Sequence, residues 1–134
     1  MLIIMQGVPG SGKSTTAKQL AATIPNSVIC STDDYFMVGG EYRFDPAMLG
    51  ENHTKNLARA TALLASERTV IVDNCNIKNA HAAKYVKFAH VRGIPVVFVR
   101  CDENFRSVHN VPEATVARMR REMETLSVLE CLQY

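Results

Sequence analysis

A chain of 134 residues with 47% apolar and 21% charged side chains has the composition of a globular domain with a real core, which excludes extended disorder. Its formal charge of +2, from 15 basic and 13 acidic residues spread along the chain, supplies no polybasic arm, so any nucleic acid must be held locally. No apolar run approaches the length of a signal-peptide core or a membrane span, and Cys30, Cys75, Cys101 and Cys131 show neither a CxxC pair nor zinc-site spacing, so a cytoplasmic protein with reduced thiols and no membrane contact is expected.

In chain order, Leu2 to Met5 is a continuous apolar run, the pattern of a strand covered on both faces of a parallel sheet. It leads through a glycine-rich turn into a helix over Lys13 to Thr23, ended by Pro25 and Asn26. A second strand, Ser27 to Ser31, is followed by Thr32-Asp33-Asp34-Tyr35-Phe36. Val38 to Asp45, with two adjacent glycines, reads as a loop. The segment Pro46 to Ser66 is a helix whose face repeats Leu49, His53, Leu57, Ala60 and Leu64. Strand Thr69 to Asp73, helix Ala80 to Arg92 with Gly93 as its stop, and strand Pro95 to Arg100 follow. Cys101 to Val111 has no periodicity. A last helix opens at Asn110, with Pro112 in its first turn and an apolar stripe of Val116, Met119, Met123 and Leu126. Alternating strands and helices predict one three-layer α/β domain over residues 1–134, with a small, mainly parallel sheet of about four strands, and the pattern GxxxxGK[ST] over Gly7 to Ser14 makes the P-loop NTPase/kinase type the expected one.

The turn carries the strongest chemical signal. Gly7-Val8-Pro9-Gly10-Ser11-Gly12-Lys13-Ser14 fits GxxxxGK[ST] and lies between a strand and a helix, as the mechanism requires. Successive backbone N–H groups of such a turn point at phosphate oxygens, and the helix N-terminus adds its positive end. Gly7, Gly10 and Gly12 let the backbone approach, Lys13 neutralises the β- and γ-phosphates, and the Ser14 hydroxyl, followed by Thr15, enters the Mg²⁺ shell. ATP and Mg²⁺ are the expected ligands. No DxxG or NKxD segment supports a GTP switch.

Two carboxylates, Asp33 and Asp34, leave the second strand at the sheet edge beside the loop, where the acceptor of a phosphoryl group should bind. Either could orient an attacking hydroxyl and take its proton, and either could be a helix cap; spacing does not choose between them. Asp73, followed by Asn74, Cys75 and Asn76, could hold a Mg²⁺-bound water or simply build the turn. Arg106, in the irregular segment, is best placed to bring a guanidinium over the triphosphate, whereas Arg118, Arg120 and Arg121 read as a solvated helix face. Tyr35, Phe36, Tyr42 and Phe44 could stack on a base or form a satellite core. Arg43, Lys55 and Arg59 suit substrate phosphates or ordinary surface. His53 reads as part of a helix face, and His81, His90 and His109 carry no partner pattern.

The ordered series GxPGSGKST, STDDYF, EYRFDP, VDNCNI, then an arginine and HNVP resembles the 5′-hydroxyl polynucleotide kinase family of P-loop kinases (AAA_33-like). It is most similar to the kinase-like domain of NEDD4-binding-protein-2-type proteins and more distantly to phage polynucleotide kinase. The resemblance spans Leu2 to about Met123. It implies that Lys13 and Ser14 are the loop lysine and hydroxyl, Asp33 the general base, Arg106 a lid arginine, and a 5′-hydroxyl DNA or RNA end the acceptor. Two positions depart from the phage pattern: Phe36 stands where an arginine contacts the acceptor phosphate, and Asn74 where an acid stands. A nucleoside or small-metabolite kinase, and a non-catalytic ATP-binding module, are the alternative readings.

Overall fold

The computed structural model describes residues 1–105 and 111–134. β1 (Leu2–Gln6) leads through the Gly7-to-Ser14 loop into α1 (Lys13–Thr23), and β2 (Ser27–Cys30) follows. A 3-10 turn, Thr32–Phe36, feeds the short strands β3 (Met37–Val38) and β4 (Glu41–Tyr42). A second 3-10 turn, Pro46–Met48, runs straight into α2 (Leu49–Ala65). Then come β5 (Thr69–Val72), α3 (Asn79–Val91), β6 (Val96–Arg100), α4 (Glu113–Glu122) and α5 (Val128–Cys131).

The main sheet has four parallel strands in the order β2-β5-β1-β6. Leu2 pairs with Val70 on one side and Val96 on the other, so β1 lies inside the sheet. The connection β1-α1-β2 steps one way across the sheet, while β2-α2-β5 and β5-α3-β6 step back. Right-handed crossovers therefore put α1 on one face and α2 with α3 on the other. The period of two in each strand divides the apolar residues accordingly. Leu2, Ile4, Val70 and Val72 join Ala60 and Leu64 of α2, Val86 of α3 and Cys131 of α5. Ile3, Met5 and Ile71 join Ala17 and Leu20 of α1 and Ile24 just beyond its end. A strand buried on both faces has no room for a polar alternate, which is why β1 reads as an unbroken apolar run.

Three local expectations are corrected. Residues 37–42 form a hairpin, not a plain loop: Met37 pairs with Tyr42 and Val38 with Glu41, around a two-residue turn. Gly39 and Gly40 both have positive φ, 58° and 82°, as a turn matched to strand twist requires. The buried face of α2 also differs from the apolar stripe read in the sequence. Leu49 and His53 are exposed, and Asn52 and Asn56 are buried beside Ala60 and Leu64. The asparagines face backbone that helical periodicity cannot foresee: Asn52 Nδ2 donates to the Tyr35 carbonyl at 3.4 Å, and Asn56 Nδ2 to the Cys30 carbonyl at 3.4 Å and the Tyr85 hydroxyl at 2.9 Å. Finally, α4 starts at Glu113 rather than Asn110, which lies outside the described residues, and Leu126 of the expected stripe sits beyond its end. Among the described residues no helix is long and apolar enough to cross a membrane.

Two buried amides hold the C-terminal segment against the sheet. Gln6 Nε2, at the end of β1, donates to the carbonyls of Asn76 at 3.1 Å and Glu124 at 2.7 Å. Asn79 donates through Nδ2 to Thr125 at 3.1 Å and accepts at Oδ1 from Ser127 N at 3.0 Å. Replacing Asn79 by Leu strands both backbone groups, and a loss of about 2 kcal/mol or more is expected. Urea unfolding followed by circular dichroism checks this; an unchanged midpoint would show that Asn79 anchors nothing.

Candidate functional site

The phosphate loop is shaped by a close approach at Gly7. A Cβ there would collide with the Ser11 hydroxyl and come within 2.9 Å of the Cys101 carbonyl. Gly7 N donates to the Cys75 carbonyl at 3.0 Å, and Cys101 N to the Gln6 carbonyl at 2.8 Å, so the ends of β1, β5 and β6 meet at this residue. Gly12, the N-cap of α1, has φ 84°, the left-handed region that favours glycine. It offers no side chain to cap α1, and the first turn contains no acid. The leading amides of α1 are thus left for an anion, with the helix dipole behind them. Pro9, Gly10 and Thr15 complete the loop and first turn, with Gly10 also at positive φ, 83°. The segment after β6 lies along the loop: Glu103 N donates to the Ser11 carbonyl at 3.2 Å and Phe105 N to the Gly10 carbonyl at 2.7 Å.

Asp73, at the end of β5, faces this loop. Its Oδ1 lies 3.1 Å from Lys13 Nζ, and its Oδ2 accepts from the Ser14 hydroxyl at 2.9 Å. Burial pushes the Lys13 ammonium down, but the charges of Asp73, Cys75 and Asp33 outweigh it and leave the pKa above its ordinary value. Lys13 therefore stays a cation. The turn out of β5 is built by Asn76 instead, at φ 47°, with Nδ2 donating to the Met5 carbonyl at 2.8 Å. Ser14 and Asp73 are two adjacent oxygen donors, a set that fits Mg²⁺, whose remaining positions are normally filled by water and substrate phosphates.

The two carboxylates after β2 have different surroundings. Asp33 lines a cavity of about 730 Å³ that also takes in Lys13, Asp73, His53, His81 and Tyr85. Its backbone N donates to the Ser31 hydroxyl at 3.3 Å, and its Oδ1 accepts from the Tyr42 hydroxyl at 3.2 Å. Burial, then the Asp33 charge and this hydrogen bond, push the Tyr42 phenol up to about 12, so it remains a donor to the carboxylate. Asp34 is exposed, 3.8 Å from Arg59, and its pKa is raised by burial against the pull of that guanidinium. The β3–β4 hairpin thus contributes Tyr42 to the site, a role with no local sequence signal.

Several residues singled out from sequence lie elsewhere. Phe36 is buried, with its ring 6.1 Å from Tyr42 and 5.1 Å from Phe44, so it belongs to a satellite core. Of the two positions that depart from the phage pattern, Phe36 does not line the cavity and Asn74 does. Phe44 lines the rim. Arg43 pairs with Glu41 at 3.1 Å and Lys55 with Glu51 at 3.6 Å, both exposed pairs of small energetic weight. Arg118, Arg120 and Arg121 are exposed and none lines the cavity; Arg120 donates to Asn104 at 3.1 Å. Arg106 and His109 lie outside the described residues.

Other cavity residues carried too little signal to be chosen from sequence. Asn74 Oδ1 accepts from Thr32 N at 2.9 Å, and Thr32 Oγ1 meets His53 Nδ1 at 3.0 Å, linking β5, the 3-10 turn and α2. His81, Lys84 and Tyr85 come from one face of α3. Their spacing of three and four residues marks a helix face, but only the crossover from β5 shows that it looks at Asp33.

Comparison with known proteins places this geometry in context. A family profile described as an AAA domain matches residues 2–104. NEDD4-binding protein 2 of Homo sapiens is 34% identical across 89% of this chain, which spans only 7% of that protein. Among solved structures, a chain of the Pnkp1/Rnl/Hen1 complex superposes with TM-score 0.62 at 25% identity, covering 94% of this chain and 40% of the other. Kti12 of Chaetomium thermophilum, solved in complex with ADP-AlF3, gives 0.72 at 14% identity over 96% of this chain and 83% of its own. The APS kinase CysC of Mycobacterium tuberculosis gives 0.56 at 23% identity over 99% and 96%. These last two show likeness of fold alone: an α/β architecture with a parallel four-stranded sheet shared with P-loop kinases.

Two outcomes follow from the geometry. Gly7→Ala should abolish most of the thermal stabilisation that Mg·ATP gives the wild type, because the added methyl displaces Ser11 or the Cys101 strand end; equal stabilisation of both proteins would remove the close approach as a constraint. His53 and His81 are both lowered from the ordinary 6.5, mainly by burial. The unfolded chain then binds more protons once pH falls below about 6.5, so their contribution to stability is full above that value and is lost as pH falls towards the folded pKa values. Urea midpoints from about pH 7.5 to about pH 5.5 should fall more steeply for the wild type than for His53→Gln/His81→Gln, and parallel slopes would contradict the assignment.

Proposed function

The chain belongs to the AAA domain family AAA_33, with a P-loop kinase-like fold, and on that premise we propose that residues 1–134 act as a single kinase domain, transferring the γ-phosphoryl group of ATP to the 5′-hydroxyl of a DNA or RNA end. The observation that carries this reading is the shared cavity: the loop lysine Lys13, the carboxylate Asp33 and the carboxylate Asp73 all line one space of about 730 Å³, the size of a small-ligand site. Mg·ATP, when bound, supplies the phosphoryl group and the cation that neutralises its oxygens.

The chain's own residues divide the remaining work. The loop amides and Lys13 hold the β- and γ-phosphates, and Ser14 with Asp73 holds the cation. Asp33 orients the acceptor hydroxyl and takes its proton as the oxygen–phosphorus bond forms and the β–γ bridge breaks. The loose transition state asks more for orientation than for strong basicity, which suits a carboxylate steadied by the Tyr42 hydroxyl. Arg106, matching the lid arginine of the polynucleotide kinases, is assigned to the charge that builds up on the transferring group. The relative in the Pnkp1/Rnl/Hen1 structures belongs to what is described as an RNA repair complex, which supports a nucleic-acid acceptor here. A cytoplasmic setting accords with four free thiols.

With Mg·ATP the wild type should label a 5′-hydroxyl oligonucleotide. Asp33→Asn should lower turnover by about 10²-fold or more while leaving ATP-dependent thermal stabilisation intact. Absence of label on any DNA or RNA end, with ADP release on a nucleoside or small metabolite, would replace the acceptor. Mg·ATP binding without acceptor-stimulated turnover would replace the kinase reading with a nucleotide-binding module.

A further inference from the structure

The cavity draws its lining from two sets of elements: Lys13, Asp33 and Asp73 come from the start of α1 and the segments that follow β2 and β5, whereas His53 comes from α2 and His81 and Lys84 from α3. We propose that these three basic side chains form a subsite for the phosphate diester one nucleotide in from the acceptor's 5′-hydroxyl. This deepens the polynucleotide kinase reading and rests on it.

Of the side chains that α2 and α3 contribute to the lining, Lys84 is the charged one, so the helix wall is cationic. Among the described residues the only carboxylates lining it are Asp33 and Asp73, and Asp73 is already bound by Lys13 and Ser14. Lys84 is exposed and, among the described residues, forms no ion pair, so its ammonium is available to a ligand. His81 and Lys84 are three residues apart and therefore project from one side of α3. Glu124 acts electrostatically on His81, but one of its carboxylate oxygens accepts from Asn79 N at 2.8 Å.

The His81 imidazole is arranged as a donor, and the His53 contact is compatible with the same arrangement. Lys78 N donates to His81 Nδ1 at 3.3 Å, which makes Nδ1 the acceptor nitrogen and puts the proton of the neutral ring on Nε2. His53 Nδ1 lies 3.0 Å from the Thr32 hydroxyl, and that hydroxyl donating to Nδ1 gives the same tautomer. His53 lies within electrostatic reach of both Asp33 and His81. Two N–H donors and one ammonium are the groups that bind a singly charged phosphate diester, and two histidines alone do not make a metal site. Among the described residues no group of three or more His, Cys, Asp or Glu side chains could hold a metal ion. The donor triphosphate has its own cradle at the loop, which leaves this wall to the acceptor.

The test compares acceptors that differ by this phosphate. Steady-state kinetics are measured with thymidine, thymidine 3′-monophosphate and a 5′-hydroxyl oligonucleotide in the wild type, Lys84→Ala and Lys84→Arg. Lys84→Ala should raise KM for the two phosphate-bearing acceptors by about tenfold, with kcat and the KM for ATP nearly unchanged, no effect on thymidine, and most of the affinity restored in Lys84→Arg. An unchanged KM, or an equal rise for thymidine, would overturn the subsite. Should the wild type phosphorylate none of these, the polynucleotide kinase reading fails, and calorimetric titration of thymidine 3′-monophosphate into wild type and Lys84→Ala decides the subsite separately. Weaker binding to the variant upholds it; equal binding, or none to the wild type, overturns it.

Discussion

Everything in the site depends on one contact distance, the approach of backbone to backbone at Gly7. The ends of β1, β5 and β6 converge there through the Gly7–Cys75 and Gln6–Cys101 hydrogen bonds, and the loop folds back so that Ser11 occupies the space a Cβ would need. The positions of Lys13, Ser14 and Asp73 follow from that convergence, because two of them start the helix leaving the loop and the third ends the neighbouring strand. A catalytic constellation fixed by strand ends is more precise than one carried on free loops. The parallel sheet supplies such ends all on one edge, and the cavity lined by Lys13, Asp33 and Asp73 lies at that edge as well.

Much of this was legible in the residues. The inner strands β1 and β5 could be read because a strand buried on both faces leaves an unbroken apolar run, the edge strands β2 and β6 because they are rich in aliphatic and β-branched residues, and α1 because a glycine-rich turn fixes its start and Pro25 its end. The GxxxxGK[ST] turn located the phosphate cradle without help from tertiary structure. The hairpin at residues 37–42 was missed because two-residue strands have no periodicity to detect. Its double glycine was the available sign. Asn52 and Asn56 fell outside the stripe read for α2 because asparagine normally faces water, yet the helix lies over the backbone carbonyls of Cys30 and Tyr35.

The candidate site was legible to a lesser degree, for a physical reason. A phosphate cradle is local in sequence, whereas an acceptor cavity is assembled from elements separated by tens of residues. Asp33 and Asp34 are indistinguishable by spacing, and what separates them is a partner from each of two other elements: Tyr42 of the hairpin for Asp33, Arg59 of α2 for Asp34. Likewise His53, His81 and Lys84 become one wall only after two crossovers place α2 and α3 on the same face of the sheet.

The Lys13–Asp73–Ser14 arrangement has a further consequence for selectivity. With Asp73 held by an ammonium on one oxygen and a hydroxyl on the other, the resting site is internally neutralised. An anion that draws Lys13 away leaves a buried carboxylate without its counter-charge, and a cation that draws Asp73 away leaves a buried ammonium in the same position. Either ligand alone meets a penalty that the other relieves. On the proposed reading, the site would favour a phosphate and a divalent cation arriving as one species over either of them alone.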